Sequence, residues 1–120
     1  FKFVKWDTVT GAPNVVLCDN IADLPCGVIQ APTPTAAEGQ PVNVCMYGVT
    51  KIQVDGTVVK GALIGVNANS RAVTLLWGTD TTAFVTGVLI NQDTAAAVPA
   101  GGLATAVINC INPPLAVTSA

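Results

Sequence analysis

Val42-Asn43-Val44-Cys45-Met46, Tyr47-Gly48, Val49-Thr50-Lys51-Ile52-Gln53-Val54 and Asp55-Gly56-Thr57-Val58-Val59 follow one another without interruption. β-Branched residues alternate here with polar ones, the period of two that a half-buried strand requires. Gly48 falls between two alternating runs and marks a bulge or a close backbone approach. Asp55-Gly56 predicts a two-residue hairpin joining residues 51–54 to Thr57-Val58-Val59, because both central residues of a type I′ turn need positive φ.

The same grammar extends in both directions. Upstream, Val15-Val16-Leu17-Cys18 stops at Asp19-Asn20, and the run from Gly27 to Gln30 stops at Pro32 and Pro34. Downstream, the apolar run from Gly61 to Val66 meets the turn Asn67-Ala68-Asn69-Ser70, whose residues tolerate left-handed backbone. Strands are then expected from Arg71 to Trp77, before the turn Gly78-Thr79-Asp80, and from Ala83 to Ile90. Turn signals recur at intervals of about 8–12 residues, as in sandwiches and barrels.

One arrangement occurs twice. Gly27-Val28-Ile29 leads through a Thr/Pro/Ala tract to Gly39 and the alternating Val42-Asn43-Val44; Gly87-Val88-Leu89 leads through an Ala-rich tract to Gly101-Gly102 and Ala104-Thr105-Ala106-Val107. Asp93 to Val98 and Thr35 to Glu38 carry a helical bias, and Ile21-Ala22-Asp23-Leu24-Pro25 has room for one helical turn. Helices this short depend on docking. These features predict an all-β protein: a small single-domain β-sandwich or barrel-like fold with at most one or two short helices. Residues 1–14 form an N-terminal arm or edge strand, 15–111 the β domain, and 112–120 an extended C-terminal tail stiffened by Pro113-Pro114.

At 120 residues the chain is long enough to bury a core. Only 10% of the residues are charged, against roughly 25% in ordinary soluble domains, while 51% are apolar. That shortage of charge predicts a surface partly covered by other protein. The net charge is −2 and the pI about 4.5, with Lys2, Lys5, Lys51, Lys60 and Arg71 dispersed. Such a distribution excludes the basic stripe of a nucleic-acid or anionic-membrane binder. No apolar run reaches the roughly 18 residues of a membrane span, and Phe1 to Trp6 lacks the apolar stretch of a signal peptide.

Cys18, Cys26, Cys45 and Cys110 contain no Cys-x-x-Cys, and the chain has no His. A zinc site would therefore need four thiols drawn from scattered strands. Buried free thiols in a protein made in a reducing cytosol are the preferred reading, with Cys18 to Cys26 the best disulfide candidate. Catalytic reagents are scarce. Without His there is no imidazole base; Ser70 lies in a turn and Ser119 near the chain end. Nearly all of the seven acids lie beside Gly, Asn, Pro or Thr at expected turns, where they bond local backbone; Asp19 and Asp23 could meet on one turn but supply too few oxygens for calcium. No phosphate-loop glycine pattern is present. No enzymatic activity, metal or cofactor is expected.

Trp6 and Trp77 fit an interface better than a sugar platform, since Trp is enriched where protein surfaces bury. Phe1, Phe3 and Trp6 interleave with Lys2, Lys5 and Asp7, predicting an aromatic edge that docks on a neighbour. In the tail, Leu115 and Val117 require cover. Phe1, Phe3, Trp6, Trp77, Leu115 and Val117 are thus the expected interface residues, and removing residues 1–7 or 112–120 is expected to leave a soluble β core.

Gly39-Gln40-Pro41-Val42-Asn43-Val44, Gly48-Val49, Val54-Asp55-Gly56-Thr57-Val58, Lys60-Gly61-Ala62-Leu63, Asn67 to Ala72, Gly87-Val88-Leu89 and Ala100-Gly101-Gly102, in this order, resemble the capsid decoration (cement) proteins of tailed bacteriophages. The resemblance covers about residues 24–111. It departs where Asn69-Ser70-Arg71 replaces a Gly-led turn, and in the cysteine content. It implies a compact β domain on the outer capsid surface of the virion, synthesised in the host cytoplasm. Its implied partners are the major capsid protein and itself, as a homotrimer or alternatively a dimer, with no nucleic acid or membrane. A carbohydrate-binding or adhesin-type β domain is the alternative.

Overall fold

The computed structural model describes residues 1–8, 14–30, 41–55, 58–76, 78–92 and 102–116. The fold is all-β, with no helix among the described residues. In the first sheet, β1 (Phe3–Trp6), β2 (Val15–Leu17), β3 (Gly27–Ile29) and β4 (Val44–Cys45) lie in the order β2-β1-β3-β4. In the second, β5 (Tyr47–Gln53), β6 (Leu63–Val66), β7 (Ala72–Thr74), β8 (Gly87–Gln92) and β9 (Leu103–Asn109) lie in the order β5-β9-β8-β6-β7. All the pairings between these strands are antiparallel.

Alternation along the strands builds one core shared by both sheets. Phe3 and Val28 from the first sheet meet Ile52, Ile64, Leu89 and Ile108 from the second, all fully buried. Each such side chain contributes about 1.5–3 kcal/mol by leaving water. Backbone bonds stitch the sheets: the Phe3 amide donates to the Ser70 carbonyl (2.8 Å), and the Gln53 amide to that of Phe1 (2.9 Å). The buried Ser70 hydroxyl donates to the Cys18 carbonyl. Ser70 holds φ at 63°, a left-handed conformation supported by Asn67, whose Oδ1 accepts from the Asn69 and Arg71 amides at 2.9 and 3.0 Å. The turn expected at residues 67–70 therefore also anchors β1.

The repeated sequence corresponds to a repeated strand pair. β3 pairs with β4 through Val28–Cys45 and Ile29–Val44, and β8 pairs with β9 through Gly87–Ile108, Val88–Val107 and Leu89–Ala106. In each copy the leading glycine faces the partner's backbone. A Cβ at Gly27 would lie 2.6 Å from the Cys45 carbonyl oxygen; one at Gly87 would lie 3.0 Å from Ile108 Cα and closer still to the Val107 oxygen.

Several expectations are corrected. The N-terminal segment is not an arm or edge: β1 is paired on both sides, and Phe3 and Val4 are fully buried. The tail is not extended away from the domain as far as it is described. Residues 112–116 fold back, with the Val85 amide donating to the Pro114 carbonyl (2.7 Å) and the Ala116 amide to that of Ala83 (2.9 Å). No strand follows β5 before Leu63 among the described residues, so residues 51–54 are not paired with Val58-Val59; Gly56 and Thr57 lie outside the described residues. Val54 and Asp55 instead reach Gly102 and Ala72, and Val58 enters the core. Gly48 is needed for its φ of 120°, not for a close approach.

The segment from Ile21 to Pro25 is no helix. Asp23 Oδ2 instead accepts from the Asp19 and Asn20 amides at 2.9 and 3.1 Å and from Lys5 Nζ at 3.0 Å. The two helix-biased tracts lie outside the described residues. All four cysteines are free. Cys18 bonds alongside Phe3 and Cys26 alongside Val4, on opposite sides of β1. Two strand spacings of about 4.8 Å each separate them, more than the roughly 7 Å of Cα separation a disulfide tolerates.

Three outcomes follow. Gly87→Ala forces β8 away from β9 and lowers stability by about 1–3 kcal/mol in urea unfolding. Removing residues 1–7 takes out an inner strand with two core side chains, so circular dichroism of the truncated chain shows lost structure, not a soluble β core. Burial pushes the Asp23 carboxyl up, but the Asp19 amide and Lys5 outweigh it and hold the group below the ordinary carboxylate value. Its ionisation therefore stabilises the fold above about pH 4, and that contribution disappears as the pH falls through the depressed value. The urea midpoint of Asp23→Asn is accordingly lower at neutral pH and less sensitive to acid.

Candidate interaction surface

The outer face of the second sheet carries one apolar row, only partly covered and flanked by the polar side chains of Lys51, Thr105 and Asn109. Lys51 points outward, so by parity Tyr47 and Val49 do too, while Thr50 and Ile52 face the core. Register then aligns Val49 with Val107, Val107 with Val88, and Val88 with Leu63. These four side chains make one row across β5, β9, β8 and β6.

At the β6 end the row is sheltered. Leu63 and Val73 pack against a small second core of Leu75, Ala83, Val85 and Ala116, held down by the returning residues 112–116. At the β5 end it reaches solvent: Tyr47 is 69% exposed and Val49 63%. The Cys110 amide donates to the Met46 carbonyl (2.9 Å), which brings the 67%-exposed Ile111 to the same corner as Met46 and Tyr47. β5 is also the edge strand of its sheet, so backbone and side chains together offer a docking edge.

The expected interface residues are dispersed. Phe3 is a core residue, buried because it faces the second sheet, and is no contact residue in this fold; Phe1 packs half-buried beside it. Positions 3 and 6 lie on opposite faces of β1, so Trp6, 53% exposed, does not join them. Leu115 is 39% exposed and bridges to Phe84. Trp77 and Val117 lie outside the described residues. The corner built from Met46, Tyr47, Val49, Val107 and Ile111 was missed, although the charge at Lys51 marks which face of β5 is wet.

The polar clusters are scaffolding, satisfied from within except at Arg71 Nε, which is buried without a hydrogen-bond partner. Lys5 Nζ sits 3.0 Å from both Asp19 and Asp23 and supplies the positive charge between the two acids. Asp55 Oδ2 accepts from Asn67 (2.8 Å) and Asn69 (3.3 Å) and lies 3.8 Å from Arg71. No group of three or more metal-ligating side chains occurs among the described residues. The arrangement of apolar side chains and an open strand edge is suited to protein contact. No protein-family model, curated protein or solved structure matches the chain.

Parity on β5 yields a paired test. Val49→Thr changes stability by no more than about 0.5 kcal/mol, whereas Ile52→Ala, three positions along and facing the core, costs about 2–5 kcal/mol. Chemical denaturation of the two variants checks the assignment of faces.

Proposed function

We propose that this chain is a structural capsid decoration protein that binds the outer surface of an assembled phage head and stabilises it by bridging major capsid subunits. The apolar row that surfaces at Val49 and Tyr47 carries the reading, because it gives a charge-poor domain a face that only another protein would cover. The sequence resemblance supports the particular setting. Bridging acts by mass action: a protein that binds the expanded lattice, and not the separated subunits, stabilises the lattice by its binding free energy, and symmetric copies multiply the effect. Homotrimer formation fits this role. The exposed aromatics Trp6 and Tyr47 belong to different sheets, which favours protein docking over a single sugar-stacking platform.

Co-sedimentation with purified heads tests the proposal. The intact chain is expected to pellet with expanded heads and not with procapsids, and Val49→Lys to bind at least tenfold more weakly, a loss of about 1.4 kcal/mol. Equal binding by Val49→Lys removes this face from the contact, and retention on oligosaccharide beads with no binding to heads favours the carbohydrate reading.

A further inference from the structure

Cys45 and Cys110 meet at the joint between the two sheets. Cys45 ends β4 in the first sheet, Met46 makes the bend, and Tyr47 begins β5 in the second. Cys110 follows β9, whose Asn109 is paired with Tyr47. Its amide donates to the Met46 carbonyl at 2.9 Å, so the main chains of residues 46 and 110 run at adjacent-strand spacing and Cys110 is one residue from direct opposition to Cys45. Both side chains pack on the same core cluster. This is the kind of placement from which a disulfide, with Cα atoms about 4.4–6.8 Å apart, closes.

The two thiols differ in access. Cys45 is half-buried, and its thiol donates to the Tyr47 carbonyl at 3.6 Å; Cys110 is buried. Burial is also the main reason the Cys110 thiol is pushed up to about 12, with Cys26 and Cys45 adding to the effect through charge. An oxidant from solvent therefore reaches Cys45 first.

We propose that Cys45 and Cys110 form a redox-closable pair that staples the two sheets together, a property independent of the capsid reading. A small-molecule disulfide reacts with the Cys45 thiolate, forming a mixed disulfide and releasing one small thiol. The Cys110 thiolate then attacks the Cys45 sulfur, a protein disulfide forms, and the second small thiol leaves. The protein gives up two electrons and two protons, and the small disulfide is reduced to two thiols. Because Cys110 is protonated near neutral pH, the second step accelerates with pH. The bond encloses β5 to β9 in one loop, which restricts the unfolded chain and stabilises the fold.

The test uses the full reduced chain, incubated folded with oxidised glutathione at alkaline pH, quenched in acid, alkylated and digested without reduction. Mass spectrometry is expected to find a peptide linking Cys45 to Cys110, with Cys18 and Cys26 alkylated. The oxidised chain unfolds at a higher temperature, an increase that dithiothreitol reverses. Cys110→Ala is expected to stop at a glutathione adduct on Cys45. The proposal is overturned if all four thiols of the intact chain remain alkylatable, if glutathione stays on its Cys45, or if the linked peptide joins Cys110 to Cys26.

Discussion

Everything in this fold depends on β1 being bound on three sides. Its two edges pair with β2 and β3, and its start is fastened to the second sheet through the Ser70 carbonyl. Only with the strand so held does Phe3 project into the space between the sheets, where it meets Ile52, Ile64 and Leu89. The energetic weight lies in apolar burial, and the backbone bonds give that burial a direction. An unpaired amide in this interior would cost about 1–3 kcal/mol, so the left-handed turn at Ser70, which presents a carbonyl to Phe3, is part of the core.

The second sheet shows how a chain with few large side chains packs tightly. Ala104 and Ala106 on β9 and Gly87 on β8 bring main chains close enough that branched residues on neighbouring strands fill the remaining volume. The outer face of the same sheet is a separate surface. That face is covered at the β6 end by residues 112–116 and open at the β5 end. Val49 and Tyr47 stay in solvent because they occupy the outward face of the edge strand, at the end that the tail does not reach.

Much of the fold was legible. Period-two alternation located β5, the Asn-rich turn located the β6–β7 hairpin, and the two Gly-Val-Ile/Leu segments marked equivalent strands. Strand pairing was not legible, because alternation identifies a strand's faces but not its neighbour. Asp55-Gly56 carries strong hairpin chemistry, yet Val54 and Asp55 bond Gly102 and Ala72, and Val58 is drawn into the core. Phe3 and Trp6 looked like one aromatic edge, but positions three residues apart fall on opposite faces of a strand. Pro113-Pro114 gave no sign of the tail's destination, which is the small apolar cluster where Ala116 packs with Leu75, Ala83 and Val85. The exposed corner was partly legible through Lys51; Ile111 joined it only through the tertiary pairing of Cys110 with Met46.

The central place of β9 governs the order in which the protein can assemble. β5 and β8 both pair with β9 and not with each other, so the second sheet stays divided until the chain has been made as far as Asn109. Before then, β5 and β8 each present an open edge, and the apolar residues destined for the core have no opposite wall. Pairings between segments so distant in sequence close slowly, and waiting edges are the places where unfinished chains associate wrongly. For this protein the hazard is greatest during synthesis and falls in one step, when a single late strand fills the gap between two early ones and, of their edges, only the outer one of β5 stays at the sheet's border.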